Sequence, residues 1–138
     1  MKPSILLFSL FGALSTSAYA LDPLSYAHYD QVKTRAVHLD LAADFKNKTL
    51  SGYAELTLDW LDPSARTLDL DTRGLVIARV QVQDAQGKWA PATFTQGKLD
   101  PEKGQALHIA LASQPAKVRI DYRTSPDAAA CTVLRITL

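Results

Sequence analysis

Three histidines, one cysteine and a pair of neighbouring aspartates carry most of the chemistry available to this chain of 138 residues. His28, His38 and His108 lie far apart in the sequence. No two of them have the i,i+4 spacing that places two imidazoles on one helix face for zinc. His38 and His108 fall on the polar sides of predicted strands. We therefore expect solvent-facing histidines, with metal ligation as the alternative.

Asp69 and Asp71 flank Leu70 and face the same way if this segment is a strand. Paired carboxylates bind calcium or share a proton, but a calcium loop also needs carbonyl ligands and a turn glycine, so we expect a solvated face. Cys131 has no histidine beside it to activate a thiolate. A single cysteine also excludes an internal disulfide and a multi-thiolate zinc site. The sequence thus predicts no catalytic, cofactor-binding or metal-binding residue.

Two tryptophans and one asparagine have alternative interpretations. Trp60 and Trp89 are candidates for a platform on which sugars stack, but Trp60 continues an apolar strand face, which favours core packing. Asn47-Lys48-Thr49 matches a glycan acceptor, a three-residue pattern that often occurs by chance. Neither feature by itself predicts a binding site.

The first twenty residues have the pattern of a secretory signal peptide. Met1-Lys2 is a positive n-region, residues 5–14 are mostly apolar, and Ala18-Tyr19-Ala20 is a small-residue cleavage site. The apolar run is shorter than the roughly 20 residues that a membrane-spanning helix needs. We expect cleavage after Ala20 and a periplasmic or secreted product without a membrane anchor.

Charge argues against a nucleic-acid partner. The chain has 15 Lys+Arg and 14 Asp+Glu, and Lys2 is the only charged residue of the expected leader, so the mature part has no net charge. A protein that follows a phosphate backbone needs a basic excess. We therefore expect no nucleic-acid binding.

Alternation of apolar and polar residues dominates the rest of the chain. From Leu50 to Trp60 it places Leu56 and Leu58 on a buried face and Thr57 on the opposite one, which is typical of an antiparallel strand. Further strands are predicted at Val37–Phe45, Leu68–Asp71, Val76–Asp84 (with Val76, Val80 and Val82 on one face), Trp89–Thr95, Leu107–Leu111 and Lys117–Arg123. About seven or more short strands separated by turn residues predict one all-β domain, an antiparallel saddle-shaped sheet or β-sandwich.

Five segments have an order and spacing that together are fairly specific. They are Asp22–Ala27, Val37–Leu41, Lys48–Gly52, Leu68–Arg73 and Val118–Pro126. Together they resemble the N-terminal domain of zinc aminopeptidases of the aminopeptidase-N family, in particular its leukotriene-A hydrolase-like branch. The leader pattern and the resemblance together predict three parts: a signal peptide at residues 1–20, the aminopeptidase-like N-terminal β domain at residues 21–130 and a divergent tail at residues 131–138.

The resemblance also implies a role. In that family the N-terminal domain leans on the catalytic domain, contributes to the substrate cleft and carries no zinc ligand. The family's His-Glu-x-x-His and Gly-x-Met-Glu-Asn motifs are absent from this sequence. We therefore expect a non-catalytic fragment of an exported zinc metallo-aminopeptidase that removes N-terminal amino acids from peptides. The resemblance places zinc in the missing catalytic domain, which is the expected partner, with a peptide substrate in the full enzyme.

Alternatives remain at this point. The divergent tail predicts a truncated or frame-shifted gene product, and the alternative is a genuine short protein whose tail adds a strand. A second hypothesis for the function is a stand-alone extracellular β-sandwich module. It would bind peptides or glycans through Tyr53, Trp60 and Trp89 or through an exposed sheet edge. The third is a purely structural exported β protein.

Overall fold

The structure, a computed structural model, describes residues 22–126. The expected leader at residues 1–20 and the divergent tail at residues 131–138, with Cys131, lie outside the described residues. The described part contains eight strands: β1 Val32–Asp44, β2 Thr49–Trp60, β3 Thr67–Thr72, β4 Leu75–Gln83, β5 Trp89–Pro91, β6 Thr93–Gln96, β7 Gln105–Ala110 and β8 Lys117–Thr124. No helix occurs among residues 22–126, so the all-β prediction is confirmed.

The strands form two sheets in which every pair is antiparallel. The larger sheet has the order β1-β2-β8-β4-β5, and the smaller sheet has the order β3-β7-β6. The two sheets enclose one core, to which all the longer strands contribute one row of side chains. Among the residues that the structure describes, no helix is long and apolar enough to cross a membrane.

The hairpin of β1 and β2 follows the predicted alternation. Leu56 and Leu58 are buried, whereas Glu55 and Thr57 lie on the outer face of the larger sheet. The same alternation in β8 buries its aliphatic residues against β2, since Leu56 pairs with Val118. One buried face on each strand is the arrangement that lets two sheets share a core while the other face of each remains polar.

One predicted strand face is wrong. The sequence pattern placed Val76 with Val80, but Val76 is exposed while Ile77 and Val80 are buried. The cause is an irregularity in the pairing of β4 with β8 between Ile77 and Arg79. An extra residue in one strand reverses the face on which every later side chain lies.

The single strand predicted at Trp89–Thr95 is in fact two. β5 pairs with β4 in the larger sheet, whereas β6 pairs with β7 in the smaller one. Pro91 ends β5, because proline has no N–H to continue the hydrogen-bonded ladder. The next residue, Ala92, donates its N–H to the Val80 carbonyl over 3.0 Å and carries the chain from one sheet to the other.

Candidate functional site

An N-terminal arm, defined here as residues 22–31, covers the outer face of β3. Asp71 accepts hydrogen bonds from the Ser25 hydroxyl over 2.7 Å and from the Tyr26 backbone N–H over 2.8 Å. Only 2% of Asp71 is exposed. The expectation of a solvated carboxylate is therefore wrong for Asp71: strand alternation does turn it away from the core, but the arm then buries it.

The arm also brings two of the three histidines together. His108 Nδ1 lies 2.7 Å from Asp69 Oδ1, and His28 Nε2 lies 3.3 Å from Asp69 Oδ2. Both imidazoles are half exposed, whereas the Asp69 carboxylate between them is mostly buried. The expectation of a solvated carboxylate is therefore wrong for Asp69 as well. We call Ser25, Tyr26, His28, Asp69, Asp71 and His108 the arm cluster.

The arm cluster is the only place among the described residues where two histidines share a carboxylate. Its geometry differs from that of a nucleophilic site, because the Ser25 hydroxyl donates to Asp71 and not to an imidazole. No three His, Cys, Asp or Glu side chains within residues 22–126 are placed to hold a metal ion together. The cluster therefore holds the arm in place: Asp69 and Asp71 of β3 contact residues of the arm, and His108 of β7 contacts Asp69.

A second polar group, the outer-face cluster, consists of Tyr53, Glu55, Trp89, Lys117 and Arg119 on the larger sheet. Lys117 Nζ donates to Glu55 Oε1 over 2.8 Å, and Arg119 Nη2 donates to Glu55 Oε2 over 3.0 Å. The Arg119 guanidinium also lies 4.2 Å from the centre of the Tyr53 ring and 4.7 Å from that of the Trp89 ring. Cation–π contacts and a shared carboxylate together hold Arg119 in place.

This arrangement bears on the aromatic residues singled out from the sequence. The rings of Tyr53 and Trp89 both contact Arg119, so each has a ring face directed at a protein side chain and not at a ligand. Trp60 is partly buried against the core, and its indole N–H donates to the Pro115 carbonyl over 2.8 Å. Core packing of Trp60 is thus confirmed, and the three aromatic residues do not form one open platform.

The remaining singled-out residues lie apart from both clusters. His38 is exposed, as expected, and its ring centre lies 6.2 Å from that of Tyr53. Asn47 lies in the turn between β1 and β2, where its side-chain amide donates to Asp44 over 2.7 Å. These contacts give neither residue a catalytic partner.

Glu55 gives the outer-face cluster a defined dependence on pH. The hydrogen bond from Lys117 is the main cause that holds the pKa of Glu55 below its ordinary value near 4.5, and Arg119 adds to it. A carboxylate whose pKa is lowered by folding stabilises the protein above its ordinary pKa, and that stabilisation is lost as the pH falls through the lowered pKa.

Replacing Glu55 with glutamine should lower the free energy of unfolding at pH 7 by about 1.5–3 kcal/mol, the range for hydrogen bonds to charged groups. The deficit should shrink in urea denaturation as the pH falls from the ordinary value near 4.5 through the lowered pKa of Glu55, because the native carboxylate then becomes protonated as well. Glu102→Gln makes the same chemical change at an exposed position and should cost less than about 0.5 kcal/mol. A Glu55→Gln deficit that is the same at pH 3 and pH 7 would contradict this assignment.

Comparison with known proteins shows which proteins this chain is similar to in sequence. The chain is 35% identical over 114 residues to leukotriene A-4 hydrolase of Xenopus laevis, a match that covers 79% of this chain and 18% of that protein. It is 33% identical over 63 residues to leucine aminopeptidase 2 of Kluyveromyces lactis, covering 46% of this chain and 10% of that protein. No protein-family model matches the chain.

Solved structures agree at the level of the fold. Yeast leukotriene A-4 hydrolase in complex with bestatin has a TM-score of 0.70 at 24% identity, and the match covers 82% of this chain and 17% of that one. The native enzyme from Saccharomyces cerevisiae gives the same TM-score, with 84% of this chain and 18% of that chain covered. The chain thus spans less than a fifth of the proteins it matches. It is homologous to a small part, the N-terminal region, of leukotriene A-4 hydrolase and leucine aminopeptidase in the zinc aminopeptidase family.

Proposed function

We propose that this chain serves as the non-catalytic N-terminal β domain of an exported zinc metallo-aminopeptidase, an enzyme that removes N-terminal amino acids from peptides. The observation that carries the proposal is the 35% identity over 114 residues, which takes in 79% of this chain but 18% of the relative. A match that covers most of this chain but a small part of the relative relates the chain to one domain of a larger enzyme.

The described side chains support a non-catalytic role. The family is zinc-dependent, yet residues 22–126 bring no three metal-ligating side chains together. The two histidines that do meet are held by Asp69, and the hydroxyl of Ser25 is held by Asp71. We therefore place the zinc, its ligands and the general base in the catalytic domain, which is the proposed partner of this domain.

Two exposed apolar side chains are compatible with a domain that contacts another one. Phe45, at the end of the β1–β2 hairpin, is 91% exposed, and Leu99 is 66% exposed. Single apolar residues also occur on the surfaces of monomeric proteins, so these two do not by themselves define a contact surface. Export is proposed from the signal-like residues 1–20.

The direct test is an assay of the purified chain for hydrolysis of an aminoacyl-anilide with added zinc, together with metal analysis. We expect no turnover above background and no stoichiometric zinc. Mass spectrometry of the exported product should show Leu21 at its N-terminus. Turnover with one zinc per chain would overturn the proposal, because the chain would then be a small enzyme in its own right.

A chimera gives the positive test. In the Xenopus relative, the aligned N-terminal region is replaced by residues 21–124 of this chain, and aminopeptidase activity is measured. The proposal expects an active chimera, and expects the matched chimera with Leu56→Ala to lose activity at a lower temperature, since a weakened β domain would no longer support its partner. A folded but inactive chimera would count against the proposed partnership.

A further inference from the structure

The first strand of the larger sheet has an open edge. β1 is 13 residues long and pairs with β2 on one side, and no strand among residues 22–126 pairs with its other side. The opposite edge of the same sheet is β5, which has only three residues. A long edge strand exposes a row of backbone donors and acceptors that can pair with another chain.

Protection of this edge is uneven. The first half of β1 contains Lys33, Arg35 and an irregularity between Thr34 and Ala36, and charges and bulges of this kind are the devices that keep edges from pairing. From Ala36 to Asp44 the register with β2 is regular, and this half contains no lysine, arginine or proline. The second half of β1 is therefore a regular template for a further strand.

The same half of β1 presents an apolar row. Val37, Leu39 and Leu41 lie on the face of the sheet that points toward the core, opposite Leu56, Ala54 and Gly52 of β2 respectively. Val37 and Leu41 are partly buried against the core, but Leu39 remains 44% exposed. A strand added beside β1 would cover this row.

We propose that two copies of this chain associate through their β1 strands, which pair antiparallel about a two-fold axis at Leu39. The axis stands perpendicular to the sheet, so that paired residues lie on the same face of the joined sheet. Leu39 then meets its own copy, Val37 meets Leu41 of the second copy, and the apolar row continues from one copy into the other. The two five-stranded sheets become one sheet of ten strands.

Charge selects this register. With the axis at Leu39, His38 of each copy lies opposite Asp40 of the other, which gives two imidazole–carboxylate pairs on the outer face. Moving the axis to Asp40 would place the two Asp40 carboxylates against each other, and moving it to His38 would place the two imidazoles together. Directly opposed like charges destabilise a sheet. An axis at Leu41 would also oppose unlike groups, His38 and Asp44, but it would pair Leu39 with Ala43 and leave Val37 without a partner in β1. Of these axes, only the one at Leu39 combines unlike pairs with a continuous apolar row.

The partner is therefore a second copy of the same chain, and the first experiment measures its mass. Analytical ultracentrifugation of the exported chain across a range of concentrations should show a monomer–dimer equilibrium. In a Cys131→Ser background, Leu39→Cys should form a disulfide-linked dimer under mild oxidation, because directly opposed residues lie close enough to be bridged. Leu99→Cys in the same background is the control, since Leu99 is exposed but lies outside β1, and it should cross-link far less.

Charge variants test the register. Asp40→Lys should raise the dimer dissociation constant about tenfold or more, because two attractive pairs become unfavourable. The double variant His38→Asp with Asp40→Lys restores opposite charges across the axis and should return the constant to within about threefold of the original. Both positions are exposed, so circular dichroism should show unchanged folding.

Three outcomes would overturn the proposal. One is a monomer at all concentrations, as expected if residues outside the described range cover the β1 edge. Another is a dimer that Leu39→Cys does not trap, and the third is a dimer indifferent to Asp40→Lys. None of these outcomes bears on the proposed role beside a catalytic domain, because that role is tested by hydrolysis and not by mass.

Discussion

Replacing Leu56 with alanine should lower the free energy of unfolding by about 2–5 kcal/mol, which is the cost of removing a large buried side chain and leaving a cavity. Leu56 has no exposed surface and lies in the core between the two sheets. Its strand pairs on both sides, with Val37 of β1 and Val118 of β8. A backbone held from two sides cannot collapse easily into the space, so we expect a loss in the upper part of the range.

Thr57→Ala is the matched control, one residue along the same strand and on its outer face. It should cost far less than Leu56→Ala, since Thr57 adds no side chain to the core. Urea denaturation of both variants at one fixed protein concentration checks the difference, because association would make stability depend on concentration. Equal losses would mean that the outer face is as tightly covered as the core.

The alternation of apolar and polar residues along the chain was enough to predict most of the strands. Strict alternation from Leu50 to Trp60 fixes which side chains of β2 are buried, because successive residues of a strand must point to opposite faces. The short polar segment Lys46-Asn47-Lys48-Thr49 between the alternating runs Val37–Phe45 and Leu50–Trp60 is typical of a hairpin connection. The same reasoning failed in β4, where the irregularity between Ile77 and Arg79 changes the face. A bulge of this kind leaves no mark in the hydrophobic pattern before it.

The pairing of strands that are distant in the sequence could not be predicted from the alternation of apolar and polar residues. Alternation does not tell which strands are neighbours, so neither the position of β8 between β2 and β4 nor the split into two sheets could be predicted. The change of sheet between β5 and β6 had one local signal, Pro91, which cannot continue a hydrogen-bonded ladder. The strand pattern predicted the fold class and the resemblance to a family agreed with it, but neither supplied this topology.

The arm cluster shows why the site was harder to predict than the fold. His28 and His108 are distant in sequence, and they meet only because β3 and β7 pair and the arm crosses them. The available signal was the repeated aspartate of β3, whose alternation with leucine puts Asp69 and Asp71 on one face. That signal indicated the position of the carboxylates, but the partners that bury them come from elsewhere in the chain.

Replacing Gly52 with alanine should cost about 3 kcal/mol or more, a second large loss with a different physical cause. Gly52 lies in β2 with a φ of 152°, a conformation that residues with a side chain rarely adopt. An added Cβ would lie 2.0 Å from the Asp40 carbonyl oxygen and 3.0 Å from the Leu41 Cα. Both neighbours belong to the backbone of β1, so no side-chain rotation relieves the clash, and the two strands must move apart.

Gly87→Ala separates the clash from the backbone strain. Gly87 also has a positive φ, of 82°, but the nearest atom to an added Cβ is Gln83 Nε2 at 3.9 Å. It should therefore cost only the roughly 1–2 kcal/mol of a left-handed residue with a side chain. Denaturant midpoints of the two variants at one protein concentration give the comparison. If Gly52→Ala lost no more than Gly87→Ala, β1 would be free to shift away from β2 at this point, and the tight approach of the two strands at Asp40 would not contribute to the stability of the hairpin.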